Sequence, residues 1–178
     1  MKRITLAACL LLCGCAGTSS SVVTASAPAT ISVDSQQGGT QELTVGTAPN
    51  VPTADNLALP ADSAWARLPR AFTAVGLEGA TPIAGERSLS LGPVKVTRRL
   101  GGQRLSSYLN CGQSLSGPNA DSHSVALTVL SKLVPNGSAT RLETLVQATA
   151  TPLVSGGGMV SCNTTGALEN RIAAEMRK

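Results

Sequence analysis

Three residue types found in hydrolytic triads stand side by side at Asp121-Ser122-His123. In a triad the histidine takes the serine proton and a carboxylate orients the histidine, so the side chains must converge in space. Neighbouring residues of a strand point to opposite faces, which would separate Ser122 from His123. A loop-to-strand boundary explains Asp121 and His123 equally well. We therefore assign no catalytic residue and keep a hydrolase as the alternative function.

A cysteine at position 15 ends the run Leu12-Cys13-Gly14-Cys15. A cationic start, Met1-Lys2-Arg3, precedes an apolar stretch from Ile4 to Cys13. About ten apolar residues are too few to span a bilayer of roughly 30 Å as a helix. The pattern is typical of the apolar core of a signal peptide. The small polar residues that follow Cys15 are typical of a flexible tether.

This run resembles the lipobox of bacterial lipoproteins, in the form Leu-X-Gly-Cys. In that family the cysteine sulfur receives a diacylglyceryl group, the chain is cut before the cysteine, and the new amino end is acylated with a fatty acid such as palmitate. The resemblance implies that residues 1–14 are a signal peptide and that Cys15 carries the lipid. Several acyl chains hold a protein stably to a membrane, whereas one does not. An ordinary signal peptide cut near Ala16-Gly17 is the alternative.

The residue after the cysteine bears on the choice of membrane. In enteric-type lipoproteins an aspartate there retains the protein at the inner membrane, and here the position holds Ala16. The resemblance therefore implies an outer-membrane lipoprotein that faces the periplasm. Because the sorting rule differs among bacteria, the inner membrane stays open.

Two of the five cysteines remain after export and lipidation, namely Cys111 and Cys162. The cysteines of the signal segment leave with it, and Cys15 is modified. In an oxidising compartment the remaining pair predicts a disulfide. A pair of buried thiols and a redox site are the alternatives, although Cys-X-X-Cys spacing is absent. With His123 as the sole histidine, a zinc ligand set is lacking, and we expect no metal and no cofactor.

Composition limits the core and the partners. Hydrophobic residues make up 42% of the chain but aromatic residues only 2%, so the core must be aliphatic. So few aromatics argue against a base-stacking surface, and we expect no nucleic-acid partner. Charge is uneven, because the segment from Cys15 to Ala66 has four acids and no Lys or Arg. The expected mature chain has twelve Lys and Arg against ten Asp and Glu, a net charge of +2.

Three arginines, Arg98, Arg99 and Arg104, flank Gly101-Gly102 in a predicted exposed turn. Clustered cations beside a membrane attract anionic lipid headgroups and other acidic surfaces. The cluster therefore indicates a contact with anionic lipid, lipopolysaccharide or cell wall. Solvated turn arginines with no ligand are the alternative.

The chain divides into the signal segment 1–14, a tether and linker over 15–60, and a globular domain over 61–178. Alternating residues at 30–46 fit either a small hairpin or an extended tether. The domain begins with a predicted helix capped by Asp62 or Ser63. Its apolar face is spaced by three and four residues and consists of Trp65, Leu68, Phe72 and Val75. We expect Pro69 to kink or split this helix and Gly76 to end it.

Alternation predicts strands at 88–91 and 94–97, broken by Gly92-Pro93, and a long hairpin from 124–134 to 142–153. Asn136-Gly137 is its predicted turn. A last helix, capped by Thr164 or Thr165, carries an apolar face of Leu168, Ile172 and Met176. The order of elements predicts an α+β fold, a small antiparallel sheet with two helices on one face, preceded by a flexible tether.

The globular part also resembles the helix-grip modules of BamC-like envelope lipoproteins. The resemblance rests on Trp65, the hairpin at Asn136-Gly137 and the helix start Thr165-Gly166-Ala167-Leu168-Glu169. The predicted Cys111–Cys162 pair is not part of that pattern. The resemblance implies a non-catalytic binding, scaffold or assembly-accessory role, with the membrane and another envelope protein as partners.

Overall fold

The computed structural model describes residues 29–35, 39–45, 51–153 and 158–178. The predicted signal peptide, the lipobox Cys15 and the first part of the tether lie outside the described residues. Strands β1 (Ala29–Ser35) and β2 (Gly39–Val45) pair antiparallel, and they fall on the two segments whose alternation fits a hairpin.

The described residues from 51 onward form three helices and eleven further strands. In chain order these are β3 (Thr53–Leu57), α1 (Ala61–Ala74), β4 (Thr81–Pro82), β5 (Ser88–Thr97), β6 (Arg99–Leu100), β7 (Gln103–Arg104), β8 (Leu109–Asn110), β9 (Gln113–Ser114), β10 (Gly117–Pro118), α2 (Asn119–Ser122), β11 (His123–Asn136), β12 (Ala139–Pro152), β13 (Val160–Thr164) and α3 (Ala167–Met176). A single 3-10 turn covers Leu105–Ser107.

The central sheet is antiparallel and has seven strands, in the order β4-β5-β11-β12-β13-β8, with β3 also paired to β12. The predicted α+β class is therefore confirmed, but the prediction of a small sheet is wrong. The strands that enlarge it, β3, β4 and β8, have two to five residues. Such segments are too short for alternation to show. Strand β3 also lies inside the segment predicted as linker.

The long hairpin β11–β12 is the centre of this sheet. Its register pairs Val125 with Ala150, Leu127 with Ala148 and Val129 with Val146, which confirms the predicted hairpin. Its turn is shifted by one residue, because Asn136 pairs with Ala139 and the turn residues are Gly137 and Ser138. Gly137 has φ 62°. A positive φ at the first turn residue is the requirement of a type II′ hairpin, which favours glycine there.

Strand β5 is continuous across Gly92-Pro93, so the prediction of two separate strands is wrong. The chain keeps its pairing with β11 through a bulge opposite Leu127–Val129. Gly92 has φ 122°, and a Cβ there would lie 2.6 Å from the carbonyl oxygen of Leu127. Glycine therefore permits the bulge instead of ending the strand.

Helix α1 begins two residues earlier than the predicted caps allow. Pro60 occupies the N-cap, and neither Asp62 nor Ser63 caps the helix. Pro69 lies inside a helix that runs unbroken to Ala74, so the predicted split is wrong. Pro69 is exposed, whereas Leu68 and Phe72 are buried, and their burial holds the helix across the missing donor.

Gly76 ends α1 as predicted. With φ 86° it donates to the carbonyl of Thr73, and Leu77 donates to the carbonyl of Phe72 at 2.9 Å. This bond pattern is a Schellman motif, in which a left-handed residue satisfies the last carbonyls of a helix. Leu77 is buried beside Phe72 in the core.

Helices α1 and α3 contact each other, and both contact the central strands. In α3 the predicted face of Leu168, Ile172 and Met176 is fully buried. Gly166, with φ 81°, occupies the N-cap that was predicted for threonine. The hydroxyl oxygens of Thr164 and Thr165 instead accept hydrogen bonds from the amides of Gly166 and Ala167. Within the described part of the chain, no helix is long and apolar enough to span a membrane.

Cys111 and Cys162 form a disulfide, as predicted. Both residues are buried, and the bridge joins the segment after β8 to strand β13. The two ends of the bond are 51 residues apart in sequence. The long hairpin and α2 lie within the closed loop.

Replacing both bridging cysteines by serine should lower the free energy of unfolding by about 4 kcal/mol, because the unfolded chain regains the freedom of a long loop. Equilibrium denaturant unfolding of the oxidised protein and of the Cys111→Ser/Cys162→Ser variant measures the difference. Reduction of the wild-type protein should reproduce the variant's midpoint. Equal midpoints for the oxidised protein and the variant would contradict this expectation.

Candidate functional site

The three arginines of the predicted cluster lie together on a two-residue hairpin. Strand β6 pairs with β7, so that Arg99 is directly opposite Arg104. The turn between them is Gly101-Gly102, and Arg98 immediately precedes β6. All three side chains are exposed. The structure thus brings together residues that the sequence placed only near one turn.

Close backbone packing fixes this arginine hairpin on the domain. Gly101 has φ 52°, and a Cβ there would lie 2.2 Å from the carbonyl oxygen of Val75. A Cβ on Gly76 would lie 2.6 Å from the amide nitrogen of Gly101. The hairpin turn therefore rests directly on the end of α1, at a distance that only glycine permits on each side.

Helix α3 holds the same turn through Arg171. Its Nη1 and Nη2 each donate to the carbonyl oxygen of Gly101 at 3.1 Å, and Nη1 also donates to the hydroxyl of Tyr108. Buried Leu100 and Leu105 anchor the two sides of the hairpin in the core. The arginines are thus presented on a supported turn.

Arg98, Arg99 and Arg104 line a recess of about 250 Å³ together with Asp121. Both Asp121 carboxylate oxygens accept hydrogen bonds from Ser106, one from the amide at 2.9 Å and one from the hydroxyl at 2.7 Å. Three arginines and one aspartate therefore line the recess, which leaves an excess of positive charge. The position of Asp121 along the chain does not predict that it belongs to this recess.

Few protein groups form hydrogen bonds with the guanidiniums of these three arginines. Arg99 Nη1 donates to the carbonyl of Gly102 at 3.0 Å. Among the described residues, the guanidiniums of Arg98 and Arg104 form no hydrogen bond or ion pair. Their donors point to no protein acceptor and are available for a ligand with oxygen acceptors.

This arrangement costs folding free energy. Arg98 has φ 61°, and a left-handed non-glycine residue costs on the order of 1 kcal/mol or more. Like charges directly opposite on paired strands, such as Arg99 and Arg104, are also destabilising. An anion bound in the recess would offset this repulsion and so recover part of the folding free energy that the arrangement costs.

The triad-type residues are arranged differently from the prediction. Ser122 ends α2 and His123 begins β11, so the two are not neighbours on one extended strand. Ser122 Oγ lies 3.0 Å from His123 Nδ1. The expectation that these two side chains are separated is therefore wrong. Asp121 binds Ser106 and so does not orient His123 through that carboxylate.

The Ser122 hydroxyl has a second partner, the carbonyl of Pro118 at 3.2 Å. A hydroxyl has one proton and a carbonyl only accepts. When Ser122 donates to Pro118, His123 Nδ1 must be the donor to Ser122 and cannot take its proton. The contact therefore serves the junction of α2 and β11 better than it serves a nucleophile.

Two other features of the domain were not predicted from the sequence. A second recess of about 330 Å³ lies between the two longer helices and is lined by Arg67, Arg70, Ala71, Ala74, Glu175 and Lys178. Glu169 is buried, and its Oε1 accepts a hydrogen bond from Thr164 at 2.7 Å. Among the described residues, no three His, Cys, Asp or Glu side chains form a group able to hold a metal ion.

The chain matches no protein-family model, and no curated protein is detectably similar to it. Its function therefore has to be inferred from the chemistry of its own residues. The arginine recess is the site with the clearest chemistry among those described.

The Ser122–His123 contact should not support ester hydrolysis, because Asp121 is bound elsewhere and the serine proton has a carbonyl acceptor. We expect the wild-type chain and its Ser122→Ala and His123→Ala variants to hydrolyse p-nitrophenyl acetate at the same rate. The release of p-nitrophenol measures the hydrolysis rate, with buffer that contains no protein and no histidine as the blank. A rate above the blank that both substitutions abolish would establish the hydrolase alternative instead.

Proposed function

We propose that this chain is a lipid-anchored, non-catalytic binding module of the bacterial envelope, and that it recognises anionic groups through Arg98, Arg99 and Arg104. The observation that carries this proposal is the recess lined by three arginines and one already satisfied carboxylate. Guanidinium is planar and offers paired donors that match phosphate and carboxylate oxygens. The ligand is therefore a group with at least one such oxyanion.

Exposure of the recess sets the strength of this contact. The three arginines are solvent-exposed, so salt screens their attraction for an anion over about 8 Å at physiological ionic strength. A single free anion would bind weakly under those conditions. Weak binding is sufficient for a tethered domain, because an anchor keeps the site at a high effective concentration near its target.

The anchor is the second half of the proposal. Cys15 would hold the domain to the outer membrane, facing the periplasm, through a segment that contains four acids and no Lys or Arg up to Ala66. The basic residues all follow that segment in the mature chain. The tether would thus not compete with the domain for an anionic surface.

Cys15→Ser should abolish lipid attachment, because serine has no thiol to receive the diacylglyceryl group. We expect the variant to accumulate as an uncleaved or soluble form, whereas the wild-type chain sediments with envelope membranes. Labelling with radioactive palmitate and membrane fractionation measure the two effects. Cys13→Ser serves as the matched control and should leave labelling intact. Labelling that survives Cys15→Ser would refute the anchor.

Charge reversal in the recess should weaken anion binding at least tenfold, because each lost charge-assisted hydrogen bond is worth about 1.5–3 kcal/mol. The probe is tripolyphosphate, titrated into the full chain carrying Cys15→Ser while amide NMR shifts are followed. We compare Arg98→Glu/Arg104→Glu with Arg67→Glu/Arg70→Glu, which changes the net charge equally at the second recess.

The titration should shift the amides of residues 98–106, and added salt should reverse the shifts. Circular dichroism confirms that both variants are folded. Equal weakening in the two variants would mean that net charge alone attracts the probe. Shifts that are absent from residues 98–106 would likewise overturn the proposed site.

A further inference from the structure

The arginine recess lies at one end of the central sheet. The register aligns Thr97 of β5, Ser124 of β11 and Thr151 of β12 in one row across three strands. Arg98 directly follows Thr97, and Asp121 lies three residues before Ser124. The arginines therefore sit where β5 and β12 end and β11 begins.

Two exposed apolar side chains lie at the same end. Leu153 directly follows β12 and is 62% exposed, and Met159 directly precedes β13 and is 75% exposed. Strand β13 begins at Val160, opposite Ala150, so Met159 reaches the row of Thr151. From β5 to β13 the sheet spans three strand spacings, or about 14 Å. The strand ends that carry Arg98 and Met159 are thus about 14 Å apart, which is close enough for both to belong to one small surface.

A third exposed apolar side chain, Leu115, belongs to this end as well. It is fully exposed in the turn between β9 and β10, and that small hairpin leads directly into α2 and β11. The amide of Asn119 donates to the carbonyl of Gly112 at 3.0 Å, which closes the base of the hairpin. The Cys111–Cys162 disulfide ties the same base to β13.

Most of the large apolar side chains exposed on the described residues are concentrated here. Five such residues are exposed, and three of them are at this end; the set is Val51, Ile83, Leu115, Leu153 and Met159. Single exposed apolar residues need no explanation, but a group beside unpaired cations does. The combination is the one found on amphipathic surfaces that lie in the headgroup layer of a membrane.

We propose that this end of the sheet is a membrane-docking surface for a bilayer that contains anionic phospholipid. Arg98, Arg99 and Arg104 contact the lipid phosphates, and Leu115, Leu153 and Met159 enter the boundary between headgroups and acyl chains. The inference rests on the proposed function, since it names the anionic partner of the arginine recess. Charge complementarity selects the lipid, and the apolar residues select a bilayer over a free anion.

The apolar residues give the surface a property that the arginines alone cannot supply. Electrostatic attraction to headgroups falls as salt is added, whereas burial of apolar area does not. Binding to anionic vesicles should therefore persist in part at high salt. Loss of the three apolar side chains should remove that residual binding and leave the salt-sensitive part.

The experiment uses the expected mature chain, residues 15–178, with Cys15→Ser, so that neither the lipid anchor nor the apolar signal segment contributes to vesicle binding. Cosedimentation is measured with vesicles of phosphatidylglycerol and phosphatidylcholine in equal parts, and with phosphatidylcholine alone, at low and high salt. We compare Leu115→Ser/Leu153→Ser/Met159→Ser with Val51→Ser/Ile83→Ser, which removes exposed apolar side chains elsewhere.

We expect the triple variant to bind the mixed vesicles about tenfold to a hundredfold more weakly at high salt, since each side chain loses part of its transfer free energy. The control variant should bind as the parent does. Equal binding by the parent and the triple variant at high salt would overturn the docking surface. A parent that leaves the mixed vesicles completely at high salt would overturn it too.

The same measurements separate this inference from the proposed function. If Arg98→Glu/Arg104→Glu abolishes binding and the triple variant does not weaken it, the anion site stands and the insertion of apolar residues is wrong. If tripolyphosphate shifts the amides of residues 98–106 but no vesicle binds, the arginines serve another anionic partner, such as an acidic protein surface. Binding only to phosphatidylcholine would refute both.

Discussion

The register of the β11–β12 hairpin is the constraint on which the rest of the domain depends. Val125, Leu127 and Val129 face the helices only in the observed pairing, and a slip of one residue would expose them all. Even the polar pair Ser131 and Thr144 obeys this pairing, since their hydroxyls are buried and hydrogen-bonded at 2.9 Å. Strands β5, β13 and β3 add to the edges of this hairpin, and α1 and α3 cover it. The same register decides which loops meet at each end of the sheet.

The arginine hairpin shows how a costly surface can be held in place by a well-packed one. Like charges at Arg99 and Arg104 repel each other, and Arg98 adopts a left-handed backbone conformation. The hairpin keeps its position because its turn packs on the end of α1 and its carbonyl binds Arg171. Packing against the helices thus keeps these exposed cations in place despite their repulsion.

Strong periodicity was readable in the sequence, whereas local junctions were not. Alternation over eleven or more residues predicted the hairpin, and the spacing of Leu168 and Ile172 predicted the buried face of α3. The two-residue strands β4 and β8 carry no period, so they were missed, and β3 was taken as part of the linker. The sequence predicted a strand break at Gly92, because it does not show that this glycine adopts a positive φ within a bulge. The arginines were found from their proximity in sequence, but Asp121 joins them only through tertiary contacts with Ser106.

The length of the central hairpin separates two environments on one small domain. Twelve residues divide the row at Ser124 from the turn at Gly137, and at about 3.4 Å each they span roughly 40 Å. That span is several times the Debye length of about 8 Å at physiological ionic strength. The potential of the arginine recess is therefore screened out before it reaches the far turn. Whatever approaches Gly137 meets a surface whose charge is set locally, by residues such as Lys132, Arg141 and Glu143. The domain can thus present two electrostatically independent poles.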